Sequence, residues 1–192
     1  LARQSDDVAH PAFAKMFVET EFAAGLGAIL ATRRRRSAGD PLVWAAHLAV
    51  VEGETLGDVQ FETDRARFLG RGHTIRAPAA VADGWPLSNT AGAVLDPVFS
   101  LRHRVRIPRG ATARVAFWTL AASSRDDVLD LADKHHDAMA FERATTLAWT
   151  QAQMQLHHLG ISTDEAHLFQ RLANHILYSD PTLRPAPDVI AR

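Results

Sequence analysis

The sequence predicts an α+β protein in which an antiparallel β-sandwich is followed by C-terminal helices. Up to about residue 121, short apolar segments rich in β-branched and aromatic residues alternate with turns that contain glycine, proline and aspartate. At Ser123 this pattern gives way to apolar residues spaced three and four apart, which is the period of an α-helix. We therefore expect a sandwich domain over residues 1–122 and a helical linker over residues 123–192.

Six segments carry the strand pattern, and residues that favour turns, such as Gly27 and the stretch 37–41, separate them. In the fifth segment, apolar residues share one face with His103, while arginines that include Arg102 share the other, so we expect one core face and one solvent face. The prolines of residues 73–97 predict an irregular surface segment. The six predicted strands are residues 16–22, 28–33, 43–51, 58–64, 98–107 and 112–120.

Capping residues mark the predicted helices. Ser123 or Ser124 can cap the first helix, whose first turn carries two aspartates that favour the positive end of the helix dipole. Val128 begins the stripe of this helix that we expect to be buried. Gly160 is placed to end a second helix, and Pro181 is placed to stop a third.

Composition narrows the classes of function. The chain has 192 residues, of which 47% are apolar, and this is enough for a packed core. The net charge of −1 gives no overall attraction to nucleic acid or anionic lipid, and the absence of cysteine excludes disulfides and thiolate sites. No apolar run reaches the ~18 residues of a membrane span. Because the sequence begins without Met and ends abruptly, we expect a piece of a longer protein.

The densest chemistry lies in residues 57–72, where the fourth predicted strand ends in a turn that contains acids, arginines and glycines. Asp64, Arg67 and Arg71 can contact a sugar, because carboxylates and guanidinium groups satisfy hydroxyls with charge-assisted hydrogen bonds. The alternative is an internal salt-bridge network that fixes the strand-to-loop turn, since these charges lie close enough in sequence to pair with each other. The sequence leaves both interpretations open.

The tryptophans divide into two groups. Trp85 lies on a predicted surface loop and is a candidate for stacking on a sugar ring, although packing against the sandwich is the alternative. Trp44, Trp118 and Trp149 lie in periodic segments and are predicted to be core residues.

Two further patterns favour structural interpretations. The run Arg33 to Arg36 can bind a phosphate, but a solvated strand end is favoured because no aromatic residues are interleaved with it, and no nucleic-acid partner is predicted. The ten histidines include the adjacent pairs His135–His136 and His157–His158. Consecutive residues of a helix point about 100° apart, so we predict no metal site.

Several separated motifs occur in a characteristic order along the chain. Together they resemble the N-terminal β-sandwich of glycoside hydrolase family 94, the family of the cellobiose and chitobiose phosphorylases. The motifs are His10-Pro-Ala-Phe, Phe17-Val-Glu-Thr-Glu, residues 61–72, Leu87-Ser-Asn-Thr-Ala-Gly and Asp96-Pro97. The resemblance runs from about residue 10 to about residue 183.

Other motifs resemble the phosphorylase-like region of bacterial cyclic β-1,2-glucan synthases. In the last predicted helix, His175 and Ser179 stand where the simple phosphorylases tend to have Trp and Gln, which favours the cyclic-glucan branch. The motifs of this branch are Leu30-Ala-Thr-Arg-Arg, Trp44-Ala-Ala-His, Ala132-Asp-Lys-His-His and residues 172–181.

The resemblance implies a supersandwich-like domain, a helical linker and then an (α/α)6 barrel, of whose helices this chain can hold at most the first. The family's reaction is inverting phosphorolysis, in which inorganic phosphate is a co-substrate and one carboxylic acid protonates the departing oxygen. That acid and the phosphate-binding residues belong to the barrel. We therefore predict no catalytic residue and no cofactor in this chain.

Two functions follow as hypotheses. The first is a non-catalytic sandwich and linker of a β-1,2-glucan-processing enzyme, which supports the barrel and assists chain-length control in cyclic glucan synthesis. Its partners are a β-glucan, the barrel and a second subunit in a homodimer, and its place is the cytoplasmic side of the bacterial inner membrane, as a soluble part of a larger membrane protein. The second is a stand-alone carbohydrate-binding module.

Overall fold

The main sheet has four antiparallel strands. The computed structural model describes residues 15–35, 37–177 and 189. The strands of the main sheet are β1 (Val18–Ala23), β2 (Ala28–Arg33), β3 (Trp44–Glu52) and β8 (Arg114–Ala122). Strands that are neighbours in the order β1-β2-β3-β8 are hydrogen-bonded to each other. All four strands lie within two residues of the bounds that the sequence pattern predicts, and a turn with Gly27 in the left-handed region, at a φ of 58°, joins the first two.

Two small sheets accompany the main sheet. One pairs β4 (Glu54–Thr55) with β7 (Val105–Arg106), and the other pairs β5 (Gln60–Asp64) with β6 (Pro97–Arg102). The β5–β6 sheet packs on the main sheet. The rings of Phe22 and Phe61 stack with centroids 4.0 Å apart, and those of His47 and Phe99 stack at 5.6 Å. These contacts join two antiparallel layers into a sandwich.

A helix covers the other face of the main sheet. In α3 (Arg125–His135), Val128 and Ala132 are fully buried and pack against a core that includes Leu30 and Leu48. Ser124 caps this helix, because its Oγ accepts a hydrogen bond from the backbone N–H of Asp127 at 3.1 Å. The predicted cap and buried stripe are therefore confirmed, and the core lies between this helix and the sheet.

The chain divides into two compact units, Leu1–Phe141 and Glu142–Arg192. The predicted domain boundary at residue 122 stays a prediction. The later helices are α4 (Met139–Leu159) and α5 (Thr163–Leu177). Gly160 follows α4 with a φ of 66°, as the C-cap pattern predicts.

A capping box begins α5. The backbone N–H of Ser162 donates to Glu165 Oε2 at 2.9 Å, and the backbone N–H of Glu165 donates to Ser162 Oγ at 3.3 Å. Pro181, predicted to stop this helix, lies outside the described residues, as do Arg36, Ser179 and the motif at residues 10–13.

The helices of the second unit expose large apolar side chains. Trp149, predicted to be a core residue, is 65% exposed. The prediction is wrong because the periodicity of α4 reveals an apolar face, whereas burial also requires an element that covers this face. Other exposed apolar residues of these helices are Leu147, Met154, Leu159, Leu168, Phe169, Leu172, Ile176 and Leu177.

Short-range detail differs from the predictions in two places. The turn predicted after Asp64 is instead the short helix α1 (Arg65–Leu69), because the carboxylate of Asp64 accepts the backbone N–H of Ala66 at 2.9 Å. The strand predicted over residues 98–107 divides into β6 and β7, which pair with different partners. Within the predicted irregular segment, Ala79–Ala82 form one further short helix, α2.

Candidate functional site

A cavity of about 430 Å³ lies where β5, α1, α2 and the loop after α2 meet. Its size falls within the range of roughly 300–1,000 Å³ that is typical of small-molecule pockets. Three of the four residues that the sequence singled out, Arg67, Arg71 and Trp85, line it. The lining residues are Glu62, Arg67, Gly70, Arg71, His73, Ala79, Ala80, Asp83, Trp85, Pro86, Leu87 and Ser88.

Asp64, the fourth predicted residue, is not part of the lining. Its carboxylate caps α1, and its Oδ2 lies 3.8 Å from Nε of Arg67. The aspartate thus fixes the start of the helix from which Arg67 projects. The ion pair between Asp64 and Arg67 is one element of the internal salt-bridge network, the alternative to sugar contact that the sequence left open.

The first residue of α1 is held by a second charge cluster. Arg65 Nη1 lies 3.0 Å from Asp96 Oδ2, and Lys15 Nζ lies 3.2 Å from Asp96 Oδ1. Burial opposes ionisation of Asp96, yet the hydrogen bonds from Arg65 and Lys15 hold the pKa of its carboxyl below the usual value. Arg65 therefore has a structural partner and is not a ligand-binding candidate.

Gly70 allows the arginine wall of the pocket to approach α2 closely. Its φ is 77°, and a Cβ at this position would lie 2.5 Å from Cβ of Ala79. Because any side chain would meet this contact, only glycine allows the chain from Arg67 to Arg71 to turn beside α2. Gly70 therefore shapes the pocket wall.

Trp85 belongs to a second wall of the pocket, formed by the loop after α2, and is 71% exposed. Its backbone carbonyl accepts a hydrogen bond from Arg102 Nη1 at 2.6 Å, and Nη2 of the same arginine donates to the carbonyl of Ala80. Because Trp85 is mostly exposed, its side chain does not pack against the sandwich, which was the alternative interpretation. Arg102, which the alternation assigned to a solvent face, instead anchors the tryptophan loop to β6.

His73 and Asp83 also belong to the polar lining, although they were not among the binding residues predicted from the sequence. His73 Nε2 lies 3.8 Å from Asp83 Oδ2, and His73 Nδ1 lies 3.0 Å from the carbonyl oxygen of Ala77. A signal was present, because His73 follows the glycines of residues 70–72 and Asp83 directly precedes Gly84 and Trp85. Neither residue type nor spacing alone distinguishes such loop residues from ordinary surface ones.

Glu62 alternates with Phe61 and Thr63 along the strand, a pattern that predicts an outward-facing polar side chain, and the structure corrects this prediction. Its side chain is only 2% exposed because residues 87–90 cover it. The carboxylate accepts hydrogen bonds from three backbone N–H groups, those of Thr63 and Asp64 at 3.0 Å and that of Ser88 at 3.3 Å. These contacts satisfy a buried charge that would otherwise be costly.

This arrangement suits recognition of a polyhydroxylated ligand. Arg67 and Arg71 supply several N–H donors, and the exposed indole of Trp85 supplies an apolar face with an N–H at its edge. Among the described residues, no cluster of three or more histidine, aspartate or glutamate side chains has the geometry of a metal site.

Comparison with known proteins places the chain. A family model described as the glycosyl hydrolase 94 supersandwich domain matches residues 1–138. The chain belongs to glycosyl hydrolase family 94. The match confirms the resemblance seen in the sequence motifs and the predicted class, an antiparallel sandwich followed by helices.

One curated relative matches this chain over nearly the whole length of the chain. The cyclic β-(1,2)-glucan synthase NdvB of Rhizobium meliloti (strain 1021) is 40% identical over 190 residues, which is 99% of this chain. The chain covers only 7% of that relative's length.

The pocket belongs entirely to the part of the chain that the supersandwich family model covers, since all its lining residues fall between Glu62 and Ser88. Across the ranges 15–35 and 37–177, none of the helices combines the length and the hydrophobicity required to cross a membrane.

Proposed function

We propose that this chain is the sandwich and linker region of an enzyme that makes or trims β-1,2-glucan, and that its pocket contacts the glucan. The proposal rests on one observation above all: the fold brings Arg67 of α1, Arg71 of the turn after it and Trp85 of the loop after α2 into one open cavity. The identity of 40% to a cyclic β-(1,2)-glucan synthase supports glucan as the ligand class.

The chemistry of the lining supports sugar contacts rather than binding of a hydrophobic molecule. A guanidinium group donates hydrogen bonds in a fixed fork, which suits the paired hydroxyls of a glucosyl ring. The exposed indole of Trp85 offers a flat apolar surface for the C–H face of such a ring. Gly70 lets the segment that carries the two arginines lie against α2, because a Cβ at this position would be 2.5 Å from Cβ of Ala79.

The role that we propose for the region within its parent enzyme is guidance of the glucan chain and assistance in the control of its length. The reaction of the parent would be inverting phosphorolysis or the related glycosyl transfer, with inorganic phosphate as co-substrate. Support for a non-catalytic role comes from Glu62, a carboxylate of the pocket that three backbone N–H groups already engage. Such a group is poorly placed to transfer a proton to a substrate.

The partners that we propose are an (α/α)6 barrel, a second copy of the chain in a homodimer, and the glucan. Support for a covering partner comes from the exposed apolar residues of α4 and α5, which include Trp149 and Ile176. We also propose that the parent enzyme lies on the cytoplasmic side of the inner membrane.

An activity assay tests the non-catalytic role. We expect the isolated chain to release no glucose 1-phosphate from linear β-1,2-glucan and phosphate, whereas a longer protein that includes the barrel should release it. Turnover by the 192-residue chain alone, at a rate that exceeds the blank, would contradict this role.

The second candidate is a carbohydrate-binding module that works without other domains, and the position of the whole pocket within one compact unit favours it. The two candidates differ in how much affinity the chain has alone. A module binds β-1,2-gluco-oligosaccharides equally well with and without the barrel, whereas a scaffold wall binds them more tightly in the longer protein. Isothermal titration of both proteins with one oligosaccharide distinguishes these outcomes.

A further inference from the structure

Glu62 lies at the junction of the two walls of the pocket. It belongs to β5, directly before the strand leads into the arginine-bearing helix α1, and the tryptophan loop passes over it. Glu62 is only 2% exposed, and three backbone N–H groups already engage its carboxylate oxygens. A buried carboxylate engaged in this way calls for a structural explanation.

The two carboxylate oxygens serve different walls. Oε1 accepts the backbone N–H groups of Thr63 and Asp64, both at 3.0 Å, at the start of the arginine wall. Oε2 accepts the backbone N–H of Ser88 at 3.3 Å, three residues after Trp85. One rigid group therefore ties the beginning of α1 to the loop that carries the indole.

We propose that Glu62 is the positioning residue of this pocket, which sets the separation of Trp85 from Arg67 and Arg71 and so determines glucan affinity without touching the glucan. The inference rests on the proposed function, since it takes glucan as the ligand. Other contacts hold the same loop, among them the hydrogen bond between Arg102 and the carbonyl of Trp85. Through Glu62, the backbone of Ser88 in this loop is linked to the backbone of Asp64, the residue that caps the arginine helix.

The neighbouring ties explain why loss of this carboxylate perturbs the pocket without unfolding the sandwich. The side-chain oxygen of Asn89 accepts the backbone N–H of Phe61 at 2.8 Å, and the backbone N–H of Asn89 donates to the Phe61 carbonyl at 3.0 Å. Thr63 Oγ1 donates to the carbonyl of Thr90 at 3.0 Å. These bonds keep residues 89 and 90 docked on β5, while the hydrogen bond from Ser88 to Glu62 is the contact that the substitution weakens.

Glu62→Gln is a nearly isosteric test of this role. A carboxylate offers two acceptors, whereas an amide offers one acceptor and two donors. Whichever way the amide is turned, at least one of the backbone N–H groups of Thr63, Asp64 or Ser88 then faces another donor. Because a buried donor without a partner is costly, we expect hydrogen exchange to become faster at the backbone N–H of Ser88, or at those of Thr63 and Asp64. We also expect glucan affinity to fall about tenfold.

Two readouts separate positioning from general stability. Amide hydrogen exchange at Thr63, Asp64 and Ser88 is measured without ligand, and the indole N–H resonance of Trp85 is followed during titration with a β-1,2-gluco-oligosaccharide. The matched control is Glu54→Gln, which removes the same charge from an exposed side chain paired with Arg106. The control should leave both readouts unchanged.

Faster exchange together with weaker binding in Glu62→Gln, and neither in Glu54→Gln, supports the proposal. Unchanged exchange, or faster exchange with unchanged affinity, overturns it. If the wild-type chain binds no glucan, the proposed function fails and this inference fails with it, while the exchange data still report whether Glu62 holds the loop. Should Glu62→Gln not fold, Ser88→Pro removes the N–H at the other end of the tie, and amide exchange at Thr63 and Asp64 is then measured together with the glucan titration.

Discussion

Glu21 and Arg125 form an ion pair that connects β1 to the first turn of α3. Arg125 Nε donates to Glu21 Oε2 at 3.1 Å, and its Nη2 donates to Glu21 Oε1. The hydrogen bonds from Arg125 hold the pKa of the Glu21 carboxyl below its usual value of 4.5, against a smaller opposing effect of burial. The pair thus fastens the helix to the edge strand of the main sheet.

The sign of this pKa shift predicts how the pair responds to acid. Because the pKa of Glu21 is lowered by folding, its stabilising effect is fully present above pH 4.5 and disappears as the pH falls through the lowered value. We expect Glu21→Gln to lower the urea midpoint at pH 7 and to have no effect in strong acid.

The measurement is urea unfolding of both proteins at a series of pH values between 7 and about 2. Glu19→Gln, on the same strand, is the control, since Glu19 makes no ion pair among the residues that the structure describes. A midpoint difference for Glu21→Gln that stays constant across the series would show that the side chain acts through packing and not through its charge.

At the site, residue type alone identified pocket-lining groups better than the supporting ones. Arg67, Arg71 and Trp85, which the sequence singled out as candidates for sugar contact, line the pocket, because long polar and aromatic side chains on loops are available for contact. Glu62 and Arg102 were misassigned, since the alternation of a strand says which residues share a face but not whether a loop covers that face.

Among the elements, α3 depends most clearly on local sequence. Ser124 Oγ accepts the backbone N–H of Asp127 at 3.1 Å, and two acidic residues occupy the first turn of the helix. Both features favour the positive end of the helix dipole. The helix in turn supplies Val128 and Ala132 to the core beneath the main sheet.

Removing this cap should weaken the whole sandwich. We expect Ser124→Ala to destabilise the protein by about 1 kcal/mol, the usual cost of an N-cap serine. Thermal or urea unfolding measures the loss, with Ser123→Ala as the control, because Ser123 contacts Asp127 only at 3.5 Å. Equal effects of the two substitutions would contradict the assignment of Ser124 as the cap.

Elements with a strong local pattern were predictable, and elements fixed by tertiary pairing were not. Strand β2 has the predicted bounds because glycine and polar turns flank a short apolar run. The division of residues 98–107 into two strands depends on pairing with two distant partners, β5 and β4. No sequence window that contains only one of those partners carries this information.

At the scale of the whole molecule, the first unit is layered. A helix covers one face of the main sheet, and the β5–β6 sheet covers part of the other. The pocket forms where the segments between β5 and β6 fold back on that second sheet, so its walls come from a single stretch of chain between Glu62 and Ser88. A site of this kind folds with the sandwich and needs no residue from the second unit.

The sequence predicted the architecture more completely than the surfaces. The change of period near Ser123 marks the point at which the last strand gives way to the long helices, and the ordered motifs indicate the glycosyl hydrolase family. The exposure of Trp149 was missed, because periodicity reports an apolar face whether or not another element covers it. Whether a face is covered is a property of the assembled molecule.

The most direct test of the account is an NMR titration of the chain with a β-1,2-gluco-oligosaccharide. We predict that chemical shifts change at Arg67, Arg71 and the Trp85 indole, and that Trp85→Ala weakens binding about tenfold, the effect typical of truncating an aromatic anchor. Trp149→Ala, which removes an equally exposed tryptophan from α4, should leave affinity unchanged. Shifts confined to other residues, or equal losses in the two variants, would contradict the claim that this pocket contacts glucan.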